Sequence, residues 1–456
     1  MITTIDPATG EAIERFAYME DAVVDGKLAI ASAAAKSWAA VSLETRAETL
    51  RRVAQQLRAE AGGLARTATR EMGKPIAQAR AEVDKCAWAC EYFADNGAAM
   101  LAPQTIGSNA ARSYVAYRPL GVLLAIMPWN FPYWQLFRAA APAMIAGNVV
   151  LLKHAENTTR CGLEIERIFG DAGAPQGLLT TLLMTNEDVD QLISDQRIAA
   201  VTLTGSERAG VAVATAAGQN LKKCVLELGG SDAFVVLADA NLDEAARIAV
   251  KSRFQNNGQS CIAAKRFIVE DAVHDAFLQR FVALTQAQRV GDPTDDATDL
   301  GPCARADLLK TVHDQVQATL DAGATLVTGG HPLQRAGAFY EPTIVDGVKP
   351  GMTMFDQEVF GPAAAVVRAR DAEEAIGLAN ASSLGLGFNI WTSDIARAEA
   401  LAQRVEAGSV FINGMVASDP RLPFGGVKKS GYGRELSTFG VHEFVNVQTV
   451  WIGPAR

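Results

Sequence analysis

Cys261 ends a polar segment that could expose its sulfur atom for nucleophilic chemistry. The segment reads Phe-Gln-Asn-Asn-Gly-Gln-Ser-Cys over residues 254–261, and its glycine favours a turn. A nucleophilic cysteine needs solvent access and a stabilised thiolate, whereas most cysteines are small buried apolar residues. The segment by itself leaves both interpretations open.

Two further segments carry groups that suit the same chemistry. Glu227 stands between two leucines and ahead of two glycines, and an apolar setting raises a carboxyl pKa toward the range of a general base. The alternative is a solvated glutamate at a strand end. Asn130 lies in Pro-Trp-Asn-Phe-Pro, where its amide could hydrogen-bond to an oxyanion or serve only the turn.

A fourth segment, Thr-Gly-Ser-Glu-Arg-Ala-Gly at 204–210, could bind a phosphate group. It follows an apolar run and begins a helix-like stretch, and a glycine turn at a helix N-terminus suits a pyrophosphate. The signal is weak, because the full three-glycine dinucleotide fingerprint is absent.

Short apolar runs precede these segments and predict strands that are buried on both faces. The runs lie at 121–127, 149–152, 199–203 and 233–237, with helix-like stretches between them. Further strand candidates follow at 265–270, 325–328, 363–367, 388–391 and 409–412. This alternation predicts two α/β domains with parallel sheets, and ligands bind beyond the carboxyl ends of such strands.

The first hundred residues carry helical periodicity. Ser42 is a candidate N-cap for an apolar stripe that runs from Leu50 to Leu64, and Gly73 with Pro75 marks the end of the region. Residues 113–118 alternate like a half-buried strand.

Composition excludes several classes of function. The net charge of −9 argues against a nucleic-acid-binding face, and the absence of a long basic run argues against a membrane-surface role. We expect no secretory signal and no transmembrane helix, and hence a cytoplasmic protein. The six cysteines do not suggest a disulfide scaffold, and the cysteine and histidine spacing predicts no metal site.

Eight segments in collinear order resemble the aldehyde dehydrogenase superfamily along nearly the whole chain. They stand at 6–11, 128–132, 153–156, 204–206, 227–230, 258–261, 358–362 and 423–431. Within the superfamily, the stretches 222–232, 411–419 and 427–435 look like the short bacterial NAD(P)-dependent succinate-semialdehyde dehydrogenases.

The resemblance implies a catalytic role for three residues. Cys261 attacks the aldehyde, and the Asn130 amide with the backbone N–H of Cys261 holds the oxyanion. Hydride transfer to a nicotinamide then leaves a thioester, which hydrolyses with water that Glu227 activates. Because Ala263 stands where some semialdehyde enzymes carry a second cysteine, we expect no local disulfide switch.

The resemblance also implies a set of cofactor contacts. The matching residues are Trp129, Lys153, Glu156, Gly205, Ser206, Glu358 and Phe360. Lys153 and Glu156 match residues at the adenine ribose, Gly205 and Ser206 lie at the pyrophosphate, and Glu358 matches the residue at the nicotinamide ribose. A carboxylate at Glu156 repels a 2′-phosphate, which predicts that NAD is preferred over NADP.

The substrate implied is succinate semialdehyde, whose distal carboxylate needs a cation or a hydroxyl group. Arg138 and Ser418 match the arginine and serine that bind it. A second arginine is common six residues before the nucleophile, where this chain has Gln255. Arg421 could substitute if its loop reaches the pocket, and the alternative for Arg138 is a surface position.

Other functions remain open at this point. Glutarate semialdehyde, an aminoaldehyde or lactaldehyde are alternative substrates. A CoA-acylating enzyme would not need Glu227, and a catalytically silent homologue would not need all three catalytic residues.

The resemblance implies two Rossmann-type α/β domains and a small β oligomerisation element. The cofactor-binding domain is expected over 1–108 and 122–229 and the catalytic domain over 230–428. The oligomerisation element is expected over 109–121 and 440–456, and it implies a homodimer or a homotetramer.

Overall fold

Strands and helices alternate through most of the chain. The structure is a computed structural model that describes residues 1–454. In chain order its strands are β1 Ile2–Ile5, β2 Ala12–Phe16, β3 Gln104–Thr105, β4 Arg112–Pro119, β5 Val122–Met127, β6 Val149–His154, β7 Leu179–Leu182, β8 Ile198–Thr204, β9 Lys223–Glu227, β10 Asp232–Val236, β11 Ala264–Glu270, β12 Thr325–Thr328, β13 Thr343–Asp346, β14 Ala363–Ala369, β15 Leu384–Gly385, β16 Gly387–Trp391, β17 Ser409–Ile412, β18 Val427–Lys428, β19 Gly431–Tyr432 and β20 Val445–Ile452.

The helices cover the faces of the sheets formed by these strands. In chain order they are α1 Asp21–Ala40, α2 Leu43–Ala59, α3 Ala61–Met72, α4 Ile76–Met100, α5 Trp134–Ile145, α6 Thr159–Asp171, α7 Val189–Ser194, α8 Glu207–Gln219, α9 Leu242–Phe254, α10 His274–Gln286, α11 Ala306–Asp321, α12 Thr353–Asp356, α13 Ala372–Asn380, α14 Ile395–Ala402 and α15 Ser437–Glu443.

Two α/β sheets form the body of the protein, and the fold class is therefore the predicted one. The first sheet has the order β19-β9-β8-β5-β6-β7 and is parallel apart from β19. The second has the order β12-β13-β14-β11-β10-β16-β17 and is parallel apart from β12. The four apolar runs predicted as buried strands form β5, β6, β8 and β10, whose side chains are almost all buried.

The predicted domain boundary at 229/230 falls between β9 of the first sheet and β10 of the second. A third sheet, of order β20-β4-β3, pairs the two segments predicted for oligomerisation, with Val445 opposite Pro119 and Ile452 opposite Arg112. This sheet also includes β3, which lies in the segment predicted for cofactor binding. The final two residues of the predicted 440–456 element lie outside the described residues.

The N-terminal region is helical from α1 onward, but a two-stranded β1-β2 sheet precedes it. The Ser42 side chain accepts a hydrogen bond from the Thr45 amide and caps α2, as predicted. Gly73 ends α3 in the left-handed conformation at φ 76°. The predicted stripe from Leu50 to Leu64 crosses two helices, because the chain leaves helical geometry at Glu60.

Adjacent strands of the first sheet end at a common edge, and polar segments follow three of them. Residues 128–132 follow β5, Gly205 and Ser206 follow β8, and Glu227 ends β9. The turn that ends at Cys261 leads into β11 of the second sheet. The two sheets therefore bring the predicted catalytic segments together. In residues 1–454 no helix is both long and apolar enough to cross a membrane.

Candidate active site

A cavity of about 750 Å³ is lined by residues from three parts of the chain, 77–138, 247–299 and 415–424. Its wall includes Cys261, the predicted nucleophile, and side chains from α4, α5 and α9. Cys261 is partly exposed, while Cys86, Cys90, Cys161 and Cys303 are buried. A partly exposed cysteine in the wall of a cavity is compatible with a nucleophilic role.

The turn before Cys261 is held in an unusual backbone conformation. Asn256, Asn257 and Gly258 have φ of 54°, 58° and 71°, so three consecutive residues are left-handed. Two of them are not glycine, and such residues persist only where the surroundings hold them. The Asn257 side chain donates to the carbonyl oxygens of Gly73 and Pro302, both at 2.8 Å, and Asn256 Nδ2 donates to the Asn130 carbonyl oxygen at 2.8 Å.

Two cations act on the thiol of Cys261. Burial raises the pKa of Cys261 to about 11, while the charges of Arg138 and Lys265 lower it. Lys265 is itself buried, and its Nζ donates to the carbonyl oxygens of Ser260 at 2.8 Å and Cys261 at 2.6 Å. The thiol form therefore predominates at neutral pH, and these cations favour its ionisation.

The Asn130 side chain is buried and its amide has a fixed orientation. Its Oδ1 accepts a hydrogen bond from Gln135 Nε2 at 3.0 Å, and its Nδ2 donates to the Gln259 carbonyl oxygen at 3.0 Å. The nitrogen therefore points toward the turn that carries Cys261. A primary amide has two N–H donors, so one remains for an oxyanion.

Glu227 is buried, and within residues 1–454 neither of its carboxyl oxygens has a hydrogen-bond partner. Burial raises the pKa of Glu227 well above its usual range, the nearby Glu435 adds to the increase, and Arg138 opposes it. A buried carboxyl group without a partner is expensive to maintain and is a common property of functional sites. The predicted alternative, a solvated glutamate, is wrong.

Arg138 is only 2% exposed and not on the surface, so the alternative of a surface arginine is wrong. Its Nε forms an ion pair with Glu435, its Nη2 donates to Thr204 Oγ1 at 3.2 Å, and its guanidinium lies 4.3 Å from the ring centre of Phe424. It also lines the cavity. Among the described residues its Nη1 makes no hydrogen bond, which leaves a donor for a ligand.

The remaining substrate residues divide into two groups. Gln255 and Ser418 line the cavity with Arg138. Arg421 does not line it: its side chain is 64% exposed, pairs with Asp419 at 2.6 Å and lies over Trp88. The condition set for Arg421 is not met, because its guanidinium pairs with Asp419 and stays outside the cavity lining.

The structure adds Lys85, which the sequence analysis did not identify. Lys85 lines the cavity from α4, and its Nζ donates to Ser418 Oγ at 2.8 Å. These two residues are separated by 333 positions in the chain. A lysine on a helix has no local signal for such a contact, so only the fold reveals it.

The residues predicted at the adenine side of the cofactor lie at the shared edge of the first sheet. Ser206 caps α8, accepting a hydrogen bond from the Ala209 amide at 3.3 Å. Lys153 lies near the end of β6 and donates to Asn186 Oδ1 at 2.5 Å. Glu156 follows β6 and accepts a hydrogen bond from the hydroxyl of Tyr18 at 2.9 Å, a partner that the sequence analysis missed.

The residues predicted at the nicotinamide side come together from both sheets. Glu358 accepts a hydrogen bond from the Gly230 amide at 3.0 Å and lies 3.3 Å from Lys265 Nζ. Trp129 and Phe360 pack edge to face with ring centres 5.7 Å apart. A Cβ at Gly229 would lie 2.2 Å from Glu358 Oε2, so the glycine leaves room for this carboxylate.

These groups fit a dinucleotide. A capped helix N-terminus suits the pyrophosphate, and carboxylates at Glu156 and Glu358 suit the hydroxyl groups of two riboses. Trp129 and Phe360 provide an aromatic wall beside the turn that contains Asn130.

The chain is similar to known proteins along nearly its whole length. The model of the aldehyde dehydrogenase family matches residues 1–450. The chain is 51% identical over 448 residues to succinate semialdehyde dehydrogenase [NAD(P)+] Sad of Escherichia coli strain K12, covering 98% of this chain and 97% of that protein. It is 49% identical to a probable succinate-semialdehyde dehydrogenase [NADP(+)] of Synechocystis, with 99% of each covered. The crystal structure of succinic semialdehyde dehydrogenase from Streptococcus pyogenes with NADP+ superimposes with a TM-score of 0.97, at 40% identity and over 100% of both chains.

Proposed function

The chain belongs to the aldehyde dehydrogenase family, and we propose that it oxidises succinate semialdehyde to succinate with NAD(P) as the hydride acceptor. The observation that carries the substrate is the identity of about half of all residues, over nearly the full length, with relatives named for it. The cavity supports it, because Cys261, Lys85 and Arg138 line the same cavity. An aldehyde with a distal carboxylate matches that arrangement.

In the proposed mechanism the Cys261 sulfur gives up its proton and forms a bond to the aldehyde carbon. The resulting oxyanion accepts hydrogen bonds from Asn130 Nδ2 and the backbone N–H of Cys261. The nicotinamide, when bound, accepts the hydride from this carbon. Collapse of the oxyanion restores the carbonyl group and leaves a thioester on Cys261.

Hydrolysis of the thioester needs a base, and we assign that role to Glu227, whose buried carboxyl group has no hydrogen-bond partner among residues 1–454. Its carboxylate takes a proton from water as the water oxygen bonds to the thioester carbon. The carbon–sulfur bond then breaks, which releases the carboxylate product and restores the Cys261 thiolate. Trp129 and Phe360 exclude bulk water from the cofactor side, and Glu358 orients the ribose next to the ring.

The experiment is a comparison of kcat/KM across an aldehyde panel, followed by NADH or NADPH absorbance. We expect kcat/KM to be higher for succinate semialdehyde than for glutarate semialdehyde, butanal, an aminoaldehyde or lactaldehyde. The rate should not depend on CoA. Cys261→Ser should abolish turnover, while Cys224→Ser, at another partly exposed cysteine, should retain it. Equal kcat/KM for succinate semialdehyde and butanal would reject the proposed substrate.

Within the nicotinamide pair we propose a preference for NAD, which rests on Glu156. Glu156 matches the family residue at the adenine ribose, where a carboxylate would repel a 2′-phosphate. The names of several relatives specify NADP(+), so family membership favours the opposite preference. Comparing kcat/KM for NAD and NADP at one ionic strength separates these expectations.

The cofactor-binding domain that we propose, over 1–108 and 122–229, contains Glu156.

We also propose a homo-oligomer built on the third sheet, with dimer and tetramer both open. Its strand β20 exposes apolar side chains: Val447 is 59% and Trp451 is 53% exposed in the isolated chain. Exposed apolar side chains on an edge strand are usually buried against another polypeptide chain. Size-exclusion chromatography with multi-angle light scattering would give the number of subunits in the oligomer. Val447→Lys with Trp451→Lys should reduce that number, and an unchanged mass would reject this surface.

A further inference from the structure

The hydroxyl group of Ser418 can act only as a donor toward the cavity. Its oxygen accepts one hydrogen bond from Lys85 Nζ at 2.8 Å and another from Trp134 Nε1 at 3.0 Å. An ammonium group and an indole N–H are donors without acceptor capacity, and a hydroxyl oxygen has two acceptor positions. Both positions are therefore filled, and the Ser418 proton is directed to a third partner. Among the described residues no acceptor takes that proton.

Lys85 is a cation without a carboxylate of its own in residues 1–454. The two nearby carboxylates are already used: Glu82 pairs with the buried Lys74, and Asp419 pairs with Arg421. Lys85 Nζ lies 4.4 Å from the ring centre of Trp134, which fixes the ammonium at the wall of the cavity.

Arg138 places a second positive charge in the same cavity. Burial lowers the pKa of Lys85 to about 8, and the charge of Arg138 contributes to the decrease. The positive charges of Lys85 and Arg138 in one cavity repel each other, so the site favours a ligand that brings a negative charge. The Lys85 ammonium, the Ser418 hydroxyl and the free nitrogen of Arg138 are all donors, a set that suits a carboxylate.

We propose that Lys85, acting with the Ser418 hydroxyl, binds the distal carboxylate of the substrate and supplies the cation that is missing at Gln255. The proposal rests on the proposed function, because it concerns the carboxylate of succinate semialdehyde. Lys85 is a specificity-determining residue in this scheme and takes no part in the chemistry at Cys261.

The role of Lys85 gives selectivity a characteristic pH dependence. The charged groups around Lys85 are Arg138, Glu82 and Asp419, and Cys86 is a neutral thiol beside it. Because the pKa of Lys85 is lowered to about 8, the ammonium loses its proton as the pH rises through that value. Preference for the carboxylated aldehyde should therefore fall above pH 8. Titration of Cys261 affects all aldehydes alike and cancels in a ratio of two substrates.

The experiment measures the ratio of kcat/KM for succinate semialdehyde to that for butanal, which has four carbons and no carboxylate. Lys85→Met should lower the ratio at least tenfold, the scale of a hydrogen bond to a charged group, through KM for the semialdehyde. Lys85→Arg should keep the ratio and hold it constant to pH 9.5, because a guanidinium stays charged. Lys251→Met is the matched control, since Lys251 lines the mouth of the same cavity.

A ratio for Lys85→Met within threefold of the wild type would overturn the proposal, and so would the same decline above pH 8 in the wild type and Lys85→Arg. If Lys85→Met does not fold, Lys85→Gln provides the second test, since it keeps a donor beside Ser418 without the positive charge and should also lower the ratio. The proposed function fails separately, if the wild type itself shows no preference for succinate semialdehyde over butanal.

Discussion

Lys265 Nζ lies 2.6 Å from the carbonyl oxygen of Cys261 and 3.3 Å from Glu358 Oε1. One buried ammonium therefore connects the nucleophile to the carboxylate proposed for the nicotinamide ribose. It restrains the backbone at Cys261 and also contributes to lowering the pKa of the thiol. The backbone position of Cys261 and the pKa of its thiol thus both depend on the Lys265 side chain.

Lys265→Met should make Cys261 less reactive. Removing a cation that lowers the thiol pKa shifts the titration of Cys261 to higher pH, and a shift of about one unit lowers the thiolate fraction at pH 8 about tenfold. The measurement is the rate of alkylation by iodoacetamide as a function of pH, on protein shown to be folded by circular dichroism. Lys265→Arg should stay closer to the wild type, and the exposed Lys310→Met should not change the profile. Identical profiles for Lys265→Met and the wild type would contradict the role of this charge.

Glu227→Gln should stop the reaction at the thioester. The variant still forms the bond from Cys261 to the aldehyde carbon, but its amide cannot take a proton from water, so kcat should fall about 10²- to 10⁴-fold. Rapid mixing should show a burst of one NADH per active site followed by slow turnover. Glu207→Gln, on the exposed side of α8, should show no burst. Slow NADH formation without a burst in Glu227→Gln would mean that Glu227 acts at or before hydride transfer, and not in hydrolysis alone.

The raised pKa of Glu227 also predicts a direction for the pH dependence of hydrolysis. The base is the ionised form, which burial disfavours, so thioester hydrolysis should accelerate as the pH rises through the raised pKa. Single-turnover decay of the thioester should lose this acceleration in Glu227→Gln.

Glu156→Ser should move the cofactor preference toward NADP. Removing the carboxylate removes its repulsion of a 2′-phosphate, and we expect kcat/KM for NADP relative to NAD to rise about tenfold, or about 1.4 kcal/mol. Tyr18→Phe is the matched control, because it removes the hydrogen bond to Glu156 and keeps the charge. A similar change in both variants would mean that side-chain orientation, not charge, sets the preference.

Glu71 provides a prediction about stability. It lies in α3 and accepts hydrogen bonds from the backbone amides of Arg160 and Cys161, both at 3.0 Å, in the first turn of α6. Burial raises its pKa from 4.5 to about 7, so the folded protein holds a proton that the unfolded chain releases at lower pH. Its contribution to stability is therefore present below pH 4.5 and is lost as the pH rises through 7.

Glu71→Gln, which cannot ionise, should remove this part of the pH dependence. The difference in unfolding free energy between variant and wild type should change by about 2 kcal/mol in favour of the variant from pH 5.5 to pH 8. Chemical denaturation at both pH values measures it, with the exposed Glu44→Gln as the control. Parallel behaviour of the two variants would show that Glu71 does not hold the proton.

Local signals predicted much of this structure. The apolar runs at 121–127 and 149–152 form adjacent strands of one parallel sheet, because a continuous apolar run is stable only when both faces are covered. Ser42 caps α2 as predicted, since a cap depends on residues within one turn. Collinear resemblance identified Cys261, which its own segment did not distinguish from a buried cysteine.

Contacts between distant parts of the chain could not be predicted in the same way. The Arg138–Glu435 pair spans 297 positions and the contact of Lys85 with Ser418 spans 333. No periodicity encodes either pair, since each depends on how separate elements pack. The exposed position of Arg421, whose guanidinium pairs with Asp419 and lies over Trp88, likewise depends on how its loop packs.

The short strand β19 has a consequence for how the enzyme is made. It pairs Gly431 with Glu227 at the edge of the first sheet, and four residues later Glu435 supplies the counter-ion of Arg138. During translation Asn130, Glu227 and Cys261 are synthesised well before β19 and Glu435. A nascent chain that ends before residue 431 therefore leaves β9 without its edge partner and Arg138 without its carboxylate. We expect such prematurely terminated chains to be inert, so that full translation is itself a condition for catalysis.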